Sequence, residues 1–291
     1  MKKEDNEPLG FSGSGYEYMR LLPEQKESDE FFEIRDFLRE VATSESIPEL
    51  QNKKKKIQFI NYGDTQLVYV LTVGDKKFTL LLGQPATEFG VVKKEYENLK
   101  ILYRDNPDIV VAPIHYFSSR DNKRELYMTP YLYQARCIAS DEEGWGVYVP
   151  EPDYHFRTFT QTERNIVNSS MIALLIKLFD TKNNLGLGSC KIGGGDFILE
   201  KEIENEDFTY ENVLKRMKLI AARELVPMQL EEYINVIRKE FSKPTYYRKE
   251  SERDKSIIIN HKSRIAMTEK EIEKGIELGR ELRKEKEIER Y

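Results

Sequence analysis

Apolar residues at Phe31, Ile34, Phe37, Leu38 and Val41 recur at helical spacing from Asp29 onward, with Ser28 placed to cap the start, and predict an amphipathic helix laid over a sheet. The sheet is predicted next. Ile57–Tyr62, Leu67–Val73 and Phe78–Leu82 are short β-branched and aromatic runs, the last two separated by the turn residues Gly74-Asp75-Lys76-Lys77. This reads as an antiparallel meander. Val92, Tyr96, Leu99 and Leu102 then fall on one face of a helix, and two further strands are predicted over Ile109–Phe117 and Glu125–Leu132.

Beyond Tyr133 the pattern weakens, then turns helical from about Gln161 to Asp180, where Met171–Phe179 is apolar almost all round, as in a helix buried on every side. A lobe boundary is placed near Tyr133–Ala139. Leu185–Glu200 follows with five glycines, which predicts a backbone that turns sharply or approaches something closely. Helices are predicted over Tyr210–Leu225 and Met228–Phe241, then a polar connector interrupted by Ile257-Ile258-Ile259. Thr268-Glu269-Lys270-Glu271 is a capping-box pattern opening a helix through Glu289. The chain thus divides into an arm and helix (1–56), a strand-rich lobe (57–135), a helical lobe (136–241) and a connector with a terminal helix (242–291).

At 291 residues with 39% hydrophobic content the chain has enough apolar surface for a sizeable core, which excludes wholesale disorder. Charged residues reach 33% yet nearly cancel to a net charge of −5, giving no general attraction to nucleic acid or to an anionic membrane. Two cysteines, Cys137 and Cys190, are too few for a secreted disulfide framework. No window approaches the length of a membrane span, and the expectation is a soluble, cytoplasmic protein. The run Lys53–Lys56 reads as a phosphate-binding patch or, more plainly, as a solvated loop. His115, His155 and His261 are too scattered to make a zinc site with the cysteines.

Taken in order, the five strands with one helix, the segment Tyr127–Tyr133, the buried helix and the glycine loop resemble the protein-kinase-like fold, nearest the aminoglycoside and choline kinase branch. That implies an α+β, bilobal architecture: a small antiparallel-sheet lobe with one helix, and a mainly helical second lobe. ATP and magnesium are the ligands the resemblance implies. In that family a cation on the third strand holds the phosphates and pairs with a glutamate on the following helix; here Leu81 takes the cation's position, with Lys76 or Lys77 as shifted alternatives, and Glu95 takes the glutamate's. Gly63 is the one glycine in the phosphate-covering turn Asn61-Tyr62-Gly63-Asp64-Thr65.

The family's catalytic loop, His-Gly-Asp, four residues, then Asn, laid on Ser189–Leu199 puts Lys191 where the base belongs and Asp196 where the metal-binding Asn belongs. Gly193, Gly194 and Gly195 lie beside it, and Asp207 is the candidate for the second metal-binding acid. A lysine is a poor base at neutral pH. The plainer alternative makes Asp196 and Asp207 surface or cap residues and Lys191 a salt-bridge lysine, with Cys190 an ordinary thiol. Three functions follow as expectations: a catalytically degenerate kinase-like binding or regulatory module, an active ATP-dependent phosphotransferase with atypical residues, or a helical scaffold unrelated to kinases. The terminal helix carries only a narrow apolar stripe, Ile272, Ile276, Leu278 and Leu282, which a protein partner, a second copy or the helical lobe would cover. The expectation favours a partner or self-association, with truncation after Met267 leaving both lobes folded.

Overall fold

The computed structural model describes residues 16–20, 29–44, 47–51, 53–62, 66–85, 87–132, 135–141, 144–149, 155–188, 196–200, 208–243, 245–250, 258–264 and 266–288. They belong to two compact units, residues 1–97 with 112–131, and residues 98–111 with 132–291.

The first unit holds β1 (Tyr16–Arg20), α1 (Asp29–Thr43), β2 (Lys55–Tyr62), β3 (Gln66–Val73), β4 (Lys76–Gly83), the first turns of α2 (Val91–Asp105), β5 (His115–Ser118) and β6 (Glu125–Pro130). All six strands make one sheet in the order β1-β2-β3-β4-β6-β5, antiparallel except for the parallel β1–β2 pair. Gly74 opens the two-residue β3–β4 turn at φ +62°, the positive value that a tight hairpin asks of its first central residue. Alternation then sorts the faces. Leu67, Tyr69, Leu71 and Val73 join Phe78, Leu80, Leu82, Leu126 and Met128 in one core with Ile34, Phe37, Leu38 and Val41 of α1. Burying each aliphatic side chain there contributes roughly 1.5–3 kcal/mol. The α+β class and the single sheet expected from the sequence are both present. Ser28 lies outside the described residues.

One predicted strand is shorter than its apolar run. Ile109–Phe117 pairs in this sheet only from His115; Ile109–Val111 belongs to the second unit, where Val110 bridges Leu219 in parallel and the Val111 amide donates to the Leu219 carbonyl at 3.0 Å.

In the second unit the described strands are β7 (Ala135–Asp141), β8 (Gly144–Val149), β9 (His155–Thr158), β10 (Leu185–Leu187), β11 (Phe197–Glu200), β12 (Met217–Leu219), β13 (Leu225–Pro227), β14 (Thr245–Glu250) and β15 (Ile258–Arg264). The described helices are α3 (Gln161–Lys177), α4 (Tyr210–Arg216), α5 (Leu230–Phe241) and α6 (Glu269–Ile288). A five-stranded sheet runs β12-β11-β7-β8-β9, while β10 pairs β13 and β14 pairs β15. The predicted helix Tyr210–Leu225 is corrected: it stops at Arg216, because Met217–Leu219 is drawn into pairing with Phe197–Leu199 and Leu225–Pro227 into pairing with Leu185–Leu187.

α3 is the axis of this unit, buried without interruption from Ile166 to Ile176. A reciprocal capping box starts it, the Glu163 amide donating to Thr160 Oγ1 and the Thr160 amide to Glu163 Oε2. Against it lies α6. A Cβ at Gly275 would stand 2.7 Å from the Ile172 Cβ and the Ser169 carbonyl, and one at Gly279 would stand 2.7 Å from the Ile176 Cβ. Only glycine lets the two backbones approach this closely. Ile272 and Ile276 are buried. Of the three covers foreseen for the terminal stripe, the chain's own helical unit supplies it, which corrects the expectation that α6 buries little by itself.

Candidate functional site

Glu95 sits on α2 of the first unit, 1% exposed, and accepts from Gln66 Nε2 at 2.7 Å and from the Tyr127 hydroxyl at 3.3 Å. Two neutral donors thus stand around a buried carboxylate. Leu81 is 9% exposed and lies opposite Tyr127 in the β4–β6 register, so the position expected to carry a phosphate-holding cation carries an apolar side chain within the sheet. The shifted alternatives fail on register. Lys76 and Lys77 pair with Val73 and Thr72, whereas Gln66, which reaches Glu95, pairs with Gly83 at the other end of the same hairpin. Seven residues of strand separate Gln66 from Val73, about 23 Å, far beyond a lysine's reach.

Asp196 belongs to the second unit and precedes β11; it is 2% exposed. Arg223 grips it, Nη1 lying 3.0 Å from Oδ2 and Nη2 2.8 Å from Oδ1. The first contact is a charge-assisted hydrogen bond and the second an ion-pair contact. The segment carrying Arg223 is fixed along its length: the Ile220 amide donates to the Asp196 carbonyl at 2.9 Å, Asn98 Nδ2 to the Ala222 carbonyl at 2.8 Å, and the Gly188 amide to the Glu224 carbonyl at 2.8 Å. Both carboxylate oxygens of Asp196 therefore face a resident cation, in the place where the resemblance calls for a metal.

Two of the five loop glycines are explained by packing. A Cβ on Gly186 would lie 2.8 Å from the Tyr233 ring, and one on Gly188 would lie 2.7 Å from the Glu224 carboxylate. Burial also pushes the Tyr233 hydroxyl well above the usual tyrosine value. Gly63, Cys190, Lys191, Gly193, Gly194, Gly195 and Asp207 lie outside the described residues. Among the described residues no group of three or more His, Cys, Asp or Glu side chains is arranged to hold a metal ion.

A cleft of about 440 Å³ opens elsewhere in the second unit, lined by the ends of α2 and α3, the turn at Asp180–Lys182, and Arg283. Its charges serve the fold. Lys177 Nζ lies 2.9 Å from the Asp108 carboxylate, and Arg283 donates to the Ile176 and Phe179 carbonyls at the end of α3. Burial raises the Asp108 carboxyl, but the hydrogen bond and charge of Lys177 outweigh it and hold it below the usual range.

Gln66, Tyr127 and Arg223 are the contacts that sequence reasoning missed. Tyr127 sits in a strand that was foreseen and Gln66 immediately precedes another, and the alternation there puts both on the face away from the α1-covered core. Arg223 was hidden because Val213, Met217 and Ile220 mimic a continuing helical stripe.

No protein-family model matches the chain. No curated protein matches its sequence. Among solved structures the chain is similar to the autoinhibited serine kinase domain of the giant muscle protein titin, at 14% identity over 69% of this chain and 50% of that one, with a TM-score of 0.38. It is similar also to the BubR1 kinase domain, at 12% identity over 79% of this chain and 78% of that one, with a TM-score of 0.41. The chain thus spans half the length of the titin chain it matches. At such scores neither likeness bears on activity. Among the described residues no helix is long and apolar enough to cross a membrane.

Proposed function

We propose that the chain is a degenerate kinase-like protein that works by binding a partner rather than by transferring phosphoryl groups. The observation that carries this reading is the Arg223–Asp196 pair, since Asp196, one of the two acids expected to coordinate magnesium, is already neutralised by a guanidinium on a segment fixed at three points. Magnesium would have to displace that arginine. Leu81 supports the same reading, since it offers phosphate no charge. Losing a charge-assisted phosphate contact costs about 1.5–3 kcal/mol, roughly ten- to a hundredfold in affinity.

Calorimetry of the full chain with ATP and magnesium tests this, beside an assay for ATP hydrolysis. Weak or absent binding and no turnover are expected. A sub-micromolar, magnesium-dependent complex, or phosphoryl transfer abolished by Asp196→Ala, would overturn the reading.

A further inference from the structure

We draw no further inference here: the strongest candidate, the cleft of about 440 Å³ in the second unit at the ends of α2 and α3, carries nothing, because Arg104, Lys177 and Arg283 on its walls are already engaged by Asp105, Asp108 and the carbonyls that end α3, and nothing in the structure shows what fills it.

Discussion

Arg223 and Asp196 hold each other through one hydrogen bond of 3.0 Å and a second ion-pair contact of 2.8 Å although they lie 27 residues apart, one just before β11 and one just after β12. The pair fastens the two ends of the segment that contains α4. Arg223→Met would leave a carboxylate that is 2% exposed without its counter-charge. Breaking a buried pair in this way costs about 3–5 kcal/mol, and the lower end applies because the arginine side chain is 23% exposed. Urea denaturation measures it. The double variant Arg223→Met with Asp196→Leu should recover most of the loss, since removing both charges removes the desolvation penalty too; a double variant as unstable as the single would refute the ion-pair account.

Gly275 sets the distance between α6 and α3. In Gly275→Ala the new methyl would stand 2.7 Å from both the Ile172 Cβ and the Ser169 carbonyl, so one helix must move. Overpacking of this kind costs about 1–3 kcal/mol, more than the ~1 kcal/mol that alanine gains over glycine inside a helix. Thermal melting should show the net loss. Truncation after Met267 is expected to do worse and unfold the second unit, because it uncovers α3 and removes Glu271, which accepts from Asn168 Nδ2 at 2.8 Å. A truncated chain with native amide-exchange protection in α3 would sink this.

That outcome reverses what the terminal sequence led one to expect, and the reason is physical. The spacing of Ile272 and Ile276 and the capping box at Thr268–Glu271 were legible, and the box forms as read, the Thr268 amide donating to Glu271 Oε2 at 2.6 Å. A count of apolar residues, however, undervalues a helix that packs through glycine, since Gly275 and Gly279 gain contact by bringing backbones together. The β2–β6 order was legible because tight turns and alternation are local. β11, β12 and β13 were not, because three-residue strands are fixed by their partners and carry too little pattern of their own. In the candidate site, Glu95 and Asp196 were singled out by the kinase-like resemblance, whereas the identity of their partners depends on long-range packing that no local window contains.

Gln66 donates to the buried Glu95 carboxyl. Gln66→Leu removes a donor 2.7 Å from a carboxylate that is 1% exposed and leaves the longer Tyr127 contact. An under-satisfied buried acceptor costs about 1–3 kcal/mol, and more for a charged one. Chemical denaturation of the full chain should show a loss in that range, largely rescued by Glu95→Leu in the same chain. If Gln66→Leu is neutral while Tyr127→Phe is costly, the phenol rather than the amide holds Glu95.

Glu163 makes the stability of the second unit depend on pH. Burial pushes its carboxyl up, but hydrogen bonds from Arg157 Nη1 at 2.9 Å and from the Thr160 amide at 2.8 Å, with the charge of Arg157, outweigh it and hold the group below its ordinary value of 4.5. A carboxylate depressed in the folded state stabilises the fold fully above its unfolded value, and that contribution drains away as pH falls through the folded one. Glu163→Gln keeps the side-chain shape but loses the charge on the arginine and on the helix start. It should cost about 1–2 kcal/mol at pH 7. Because glutamine does not titrate, the gap between parent and variant should narrow once pH drops below about 4.5 and go on closing as pH falls through the depressed folded value. Denaturation midpoints across that range provide the measurement. A gap that stays constant down to pH 3 would mean that Glu163 acts through shape and packing, with its charge contributing nothing to the cap.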